Sequence, residues 1–374
     1  MIITDVETII LKQSTAIEMI GDGSQDTVLI LVHTDEGITG IGEVDSSPYA
    51  VKAVIDMPDS HMVCRGLRSI VVGEDAFDIE KIWRKMYAES IYHGRRSVVI
   101  HAMSGIDMAI WDAVGKKLGL PVSKLLGGTF RNRVQAYCSV LMPDSEAEIE
   151  RLVNEHMVKG YQGLKFGWGA LGQSYERDIH LVKTARKYLG DDKYLMIDIG
   201  MVWTDVKGAI RTVGVFEEYD VHFVEEPFSP DNLDGYTALT AASRIHVSGG
   251  EEVGTMHEYR DLIDRRCIDI VQPDLSRCGG LTVARKLTDY AGLHSVQIIP
   301  HAFKTHVLMA ATLQYIASLP EAWYLEFCEQ DTVLRKSITT TCFEVDSEGY
   351  VEIPQKPGFG IELDMDAVAR YRVN

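Results

Sequence analysis

Val221-His222-Phe223-Val224-Glu225-Glu226-Pro227 is a short, largely apolar run that ends on a carboxylate, and the pattern recurs on both sides of it. The runs at 161–164, 194–197, 221–224, 244–247 (extended by 248–250), 267–273, 295–300 and 323–325 lead to Lys165, Asp198, Glu225, Glu251, Asp274, His301 and Glu326. After a first interval of 33 residues, the steps between these positions are 27, 26, 23, 27 and 25. A period of about 25–30 residues holds a buried strand, a loop and an amphipathic helix, the unit of a parallel β/α barrel. Strands buried on both faces appear as unbroken apolar runs rather than alternating ones. Parallel strands point the same way, so residues at their carboxyl ends gather around one mouth. Any one of these ionisable groups reads as a solvated loop residue; the whole row on one beat does not.

Working outward, helical spacing fills the intervals at 145–159, 176–189, 206–219, 233–243, 256–265, 281–291 and 305–318, and 134–140 reads as the first barrel strand. Upstream, 3–11, 27–34 and 38–43 read as strands with a turn at Asp35-Glu36-Gly37, and 75–89 and 97–118 read as helices. The expected organisation is an α+β domain over 1–128, a barrel over 129–342, and a tail over 343–374 that packs back on the first domain.

Hydrophobic residues make up 46% of the 374, enough for a large core. A formal net charge of −18 disfavours nucleic acid and anionic membranes as partners and suits an enzyme that binds a cation. Cys64, Cys138, Cys267, Cys278, Cys328 and Cys342 are scattered without a C-x-x-C pair, as reduced thiols in a reducing compartment would be. The first residues carry Asp5 and Glu7 and no basic region, so no secretory signal is expected, and the expected location is cytoplasmic. The longest uncharged stretch, 305–320, falls short of the ~18 apolar residues of a membrane span.

Asp198, Glu225 and Glu251 stand on three successive strand ends. Carboxylates brought together raise one another's pKa unless a cation sits among them, and oxygen-only ligation favours Mg²⁺. One of the three is alternatively a salt-bridge partner of Lys165. Glu226 and Glu252 are adjacent alternatives, although alternation along a strand turns only one of each pair inward. Asp274 and His301 follow on neighbouring strand ends; a carboxylate on one imidazole nitrogen fixes the tautomer and makes a proton shuttle near neutral pH. Lys165 either neutralises a substrate carboxylate or acts as a base. Glu326 is placed to donate or accept a hydrogen bond at a developing enolate oxygen.

These residues, with Asp107-Met108-Ala109-Ile110-Trp111-Asp112, Leu125-Leu126-Gly127-Gly128, Val224-Glu225-Glu226-Pro227, Gly250-Glu251, Gln272-Pro273-Asp274, Gly279-Gly280-Leu281-Thr282 and Pro300-His301, resemble the mandelate-racemase-like subgroup of the enolase superfamily along essentially the whole chain. The resemblance implies a modified (β/α)7β TIM-type barrel under an N-terminal capping domain. It implies one Mg²⁺ per subunit on Asp198, Glu225 and Glu251, and abstraction of a proton α to a substrate carboxylate. It also implies an Asp274–His301 dyad, Glu326 facing the enolate, and a homo-oligomer.

Two departures matter. Many relatives carry a second lysine two residues after the first, where this chain has Gly167, and an Asn two residues after the first metal ligand, where it has Gly200. Losing that lysine favours one-base chemistry centred on His301, and the room the two glycines leave is open to Trp168, to Trp203 or to a larger substrate. The expected function is therefore a Mg²⁺-dependent dehydratase of an aldonate or aldarate. An epimerase or lactone cycloisomerase on the same site is the alternative, and a metal-stabilised binding protein without turnover is the alternative of another class. The expected partner is a small carboxylate substrate. Capping loops at 15–25 and 45–50 bring Glu18, Met19, Asp45 and Tyr49 as candidate selectivity contacts. His93, Arg95 and Arg96 lie between two cap helices, as subunit or substrate contacts.

Overall fold

The chain begins with three antiparallel strands, β1 (Ile3–Lys12), β2 (Asp26–Thr34) and β3 (Thr39–Val44), paired in that order. The computed structural model describes residues 1–17, 22–330 and 332–373. Gly37 supplies the left-handed residue (φ 73°) that the β2–β3 turn requires. Helix Val98–Leu118 lies across β3 at close range, stopped by Gly119 in the left-handed conformation. A Cβ on Gly42 would stand 2.0 Å from the Gly105 carbonyl oxygen, and one on Gly40 1.8 Å from that of Ala109, so backbone meets backbone there. Gly42→Ala is accordingly expected to cost about 1–3 kcal/mol through overpacking. A urea midpoint equal to the parent's would show that the helix can lift off the sheet freely. The same helix is long and apolar enough to cross a membrane by length and composition, but 89% of its most apolar window is buried inside the protein.

Eight parallel strands follow: β4 (Arg133–Leu141), β5 (Gly163–Gly167), β6 (Tyr194–Asp198), β7 (Val221–Glu225), β8 (His246–Gly249), β9 (Ile270–Val271), β10 (Gln297–Ile298) and β11 (Leu325–Cys328). Their order is β10-β9-β8-β7-β6-β5-β4-β11, so the last strand lies beside the first and the sheet curls round. One long helix separates each strand from the next, the (β/α)7β pattern. The strand interiors are buried and apolar, as two-sided burial demands. The tail first adds β12 (Tyr350–Glu352), antiparallel to the start of β4. It then reaches the cap, where Val373 N donates to the Ile10 carbonyl (2.9 Å).

Buried carboxylates lock the cap to the barrel. Asp107 accepts from the Thr282 amide (3.0 Å) and hydroxyl (2.5 Å). Asp112 accepts from Ile41 N (2.9 Å) on β3, Phe359 N (2.7 Å) in the tail, and Lys116 (2.8 Å). Glu43 accepts from Thr27, Thr305 Oγ1 (2.8 Å) and Leu308 N (2.9 Å), placing its charge at the N-terminus of helix His306–Ser318. Two of the motifs that carried the resemblance, 107–112 and 279–282, are thus the two halves of one joint.

Candidate active site

The strand ends meet in a cavity of about 290 Å³ beneath the cap, bounded by Lys165, Asp198, Glu251, His301 and Glu326 from the barrel and by Asp22, Gly23 and Asp45 from the cap. Pairing sets the register: Asp198 lies opposite Glu225, and Gly167 opposite Asp198. The backbone turns abruptly where the strands end. Trp168, Met201 and Glu226 all have positive φ (51°, 67° and 42°), a cost held at the mouth by the surrounding hydrogen bonds. Trp168 N donates to the Asp198 carbonyl, Met201 N to that of Glu226, and Glu226 N to that of Ser248.

His301 Nδ1 donates to Asp274 Oδ2 (2.6 Å), whose other oxygen accepts from Ser276 N (2.6 Å) and Ser276 Oγ (2.5 Å). The imidazole is thereby fixed with Nε2 toward the cavity, 3.3 Å from Glu251 Oε2 and 3.9 Å from Glu326 Oε2. Burial works against its charge, but Glu251, Glu326 and Asp274 outweigh that and push His301 up to about 10, above the near-neutral value expected of a shuttle.

Lys165 is buried between Glu225 Oε1 (2.6 Å) and Glu326 Oε1 (2.7 Å). Burial works to neutralise it, yet the two carboxylates hold its pKa well above the ordinary lysine value. Its place between the two is that of a counter-charge. Glu326 also accepts from Ser139 Oγ (2.8 Å) and Ala302 N (3.0 Å). Burial favours its neutral form, but Lys165 and His301 bring it down to about 2, so it is an anionic acceptor without a proton to donate.

The three carboxylates predicted to hold the metal sit on adjoining strands but face different partners. Glu225 is shared by Lys165 and Gln272 Nε2 (2.7 Å), Glu251 by Arg277 (3.1 Å) and His301, and Asp198 Oδ1 accepts from Gly200 N (2.8 Å). Among the described residues, no three His, Cys, Asp or Glu side chains stand ready-grouped around one point. The chemistry of the donors nonetheless suits a hard cation. Burial and then the charge of Glu225 push Asp198 well above the carboxylate range, and burial, then Glu251 and Asp198, do the same to Glu226. This corner holds more negative charge than its protein neighbours neutralise.

Other expectations fare unevenly. Glu252 lines the cavity beside Glu251, so that pair does not split inward and outward, whereas Glu226 is buried off the lining with Oε2 lacking a partner among the described residues. Strict alternation ends at Glu226 (φ 42°) and Gly250 (φ 112°), where the strands stop being strands. Trp168 lines the cavity with its indole against Gly200, filling the room that glycine leaves. The Gly167 position is filled instead by Asp198: a Cβ there would lie 2.7 Å from Asp198 Oδ2. Trp203 turns outward into the core, donating to Asp178 Oδ2 (2.9 Å) and packing on Tyr175 and Phe216. Tyr49 is exposed on helix Pro48–Asp56, clear of the cavity. Asp45 is at the cavity, while Glu18 and Met19 lie outside the described residues. Arg96 pairs with Glu258 (2.8 Å), a barrel-helix contact. Sequence reasoning passed over Arg277 and Lys304, which both bind Asp45. Their only signal was a cation three residues after a predicted site residue, Asp274 or His301.

Residues 3–127 match the mandelate racemase/muconate lactonizing enzyme N-terminal domain, and residues 148–367 match the enolase C-terminal domain-like family. The chain is 31% identical to D-galactarolactone cycloisomerase of Agrobacterium fabrum over 92% of this chain and 91% of the relative. It is 29% identical to arabinonate dehydratase of Saccharolobus solfataricus, covering 96% and 94% respectively. Among solved structures, a racemase from Streptomyces coelicolor with bound magnesium superposes with a TM-score of 0.86 at 26% identity, covering 99% of this chain and 100% of that one.

Proposed function

This chain belongs to the mandelate racemase/muconate lactonizing enzyme group of the enolase superfamily, and from that premise we propose that it is a Mg²⁺-dependent dehydratase of a sugar acid, removing the proton α to the carboxylate and expelling the β-hydroxyl to leave a 2-keto-3-deoxy acid. Relatives named as sugar-acid dehydratases and as cycloisomerases support an enzyme of this kind. The observation that carries the reading is one-sided proton machinery. His301 on its Asp274 anchor faces the cavity, while the Gly167 position, occupied by the Asp198 carboxylate, has no room for a second base.

Asp198, Glu225 and Glu251 would hold Mg²⁺, which when bound supplies positive charge to the substrate carboxylate and to the enediolate charge that develops there. As a Mg²⁺ ligand Glu251 would raise His301 less than it does as a free carboxylate, leaving Glu326 and Asp274 as its anionic neighbours. His301 Nε2 then takes the α-proton and returns it to the departing hydroxyl, which leaves as water. Lys165 stays an ammonium throughout, countering Glu225 and Glu326. Asp274 keeps the imidazole in the tautomer whose Nε2 is the working nitrogen.

A cycloisomerase is the second reading, favoured by likeness to cycloisomerases at the same level of identity. Acid sugars and their lactones incubated with Mg²⁺ and assayed for keto acid with semicarbazide, then in D₂O for α-deuterium, separate the two. Keto acid with loss of water is the expected result. Deuterium uptake or lactone isomerisation without water loss would move the reading to isomerase. Neither, across the panel, would leave a binding protein.

A further inference from the structure

Asp45, one residue past the end of β3, ties the cap to both barrel loops that follow the dyad residues. Its amide donates to Ser276 Oγ (3.1 Å), whose hydroxyl donates on to Asp274 Oδ1 (2.5 Å). Its carboxylate accepts from Arg277 Nη2 (2.5 Å) and from Lys304 Nζ (2.8 Å), so a cation three residues beyond each dyad member reaches it. Lys304 also donates to the Gly23 carbonyl, which brings a second part of the cap to the same point. Arg277 belongs to the barrel mouth as well. Its Nη1 donates to Glu251 Oε1 (3.1 Å) and to Glu252 Oε1 (3.0 Å). The other Glu251 oxygen lies 3.3 Å from His301 Nε2. Both oxygens of Glu251 therefore have protein neighbours already, and a metal ion that takes this carboxylate displaces one of them. Arg277 can yield it, because Asp45 and Glu252 remain as its acceptors.

Resting on the Mg²⁺-dependent reading above, we infer that Arg277 is a shared counter-ion coupling closure of the cap to occupancy of the metal site, with Asp45 as the positioning residue that draws it off Glu251. Once Glu251 is given to a divalent cation, that cation repels the guanidinium, which falls to Asp45 and Glu252 and tightens the cap on the barrel. Linkage runs both ways. A clasp that the metal strengthens must strengthen metal binding by the same factor. Without the charge of Asp45, the guanidinium is left to Glu251 and Glu252 and competes with the metal for its ligand. The cap is thereby held less firmly over a site that lacks its metal.

Asp45→Asn removes the charge while keeping the shape, the main-chain bond to Ser276 and an oxygen for Lys304. Calorimetric titration with Mg²⁺ alone, without substrate, compares the parent, Asp45→Asn, Arg277→Gln and the double variant. Asp45→Asn is expected to weaken Mg²⁺ binding about fivefold or more in the parent, but less than about twofold where Arg277→Gln is already present, since no guanidinium is then left to redirect. Amide hydrogen exchange gives a second reading that needs only the parent and Asp45→Asn, and it decides the matter if Arg277→Gln does not fold. Mg²⁺ should slow exchange at residues 23–26 and 45–47 of the parent and not of Asp45→Asn. Unchanged affinity in Asp45→Asn, the same loss in both backgrounds, or equal protection in the two proteins overturns the coupling and leaves the Mg²⁺ reading standing. A parent that takes up no Mg²⁺ overturns both.

Discussion

His301→Asn is expected to lower kcat/KM on any sugar acid the protein turns over by on the order of 10⁴, the upper range for loss of a general acid–base group. Two features make so large a loss the expected one. Asn is close in size and keeps a polar contact to Asp274, so the fold is left intact. No other group is placed to take over the proton: Lys165 is held charged between Glu225 and Glu326, and Glu326 still has Lys165 as its cationic neighbour when His301 is gone. Exchange of the substrate α-proton with solvent, followed by NMR in D₂O, should vanish along with product. Exchange that persists at the parent rate would place the base elsewhere and remove the one-base account. Asp274→Asn is expected to be milder, with the pH–rate profile displaced, because the imidazole stays but loses the carboxylate that fixes its tautomer.

The second large effect is on stability. Lys165→Met is expected to destabilise the protein by about 3–5 kcal/mol, since it removes the shared cation of two buried carboxylates, leaving Glu225 with only Gln272 and Glu326 with only His301 as its nearby cation. The Glu225 and Glu326 oxygens lie 2.6 and 2.7 Å from its nitrogen, and water does not reach them. Adding Glu326→Gln should recover part of the loss, because one of the stranded charges is then gone. Denaturant unfolding without added metal reads both variants. A single variant as stable as the parent would mean that the carboxylates find other partners, and the view of Lys165 as an electrostatic keystone would fall.

The barrel and its row of site residues were legible because a strand buried on both faces leaves an unbroken apolar run, and because parallel strands put every run's terminal residue at the same end. Asp198, Glu225, Asp274, His301 and Glu326 needed no more than that. What escaped depended on contacts between distant parts of the chain. Asp45 and Arg277 are separated by 232 residues, so nothing near either residue in sequence announces the pair. Trp203 follows a strand end closely enough to suggest the mouth, yet its indole N–H is claimed by Asp178 on a neighbouring helix. Alternation does not reach Glu226, because its positive φ takes it out of the strand geometry on which alternation rests. The roles of Lys165 and Glu326 were ambiguous for a related reason: residue type does not tell which way a buried group titrates until its neighbours are known.

The outer edge of β4 is shared by two late segments: β12 takes residues 133–135 and β11 takes 136–139. During synthesis on the ribosome, that edge therefore remains an open row of amides and carbonyls until the chain has passed residue 352. Closure of the barrel around β4 thus waits until both later segments have been made. Nascent chains stalled within the last quarter of the sequence would present an unsatisfied strand to chaperones or to one another.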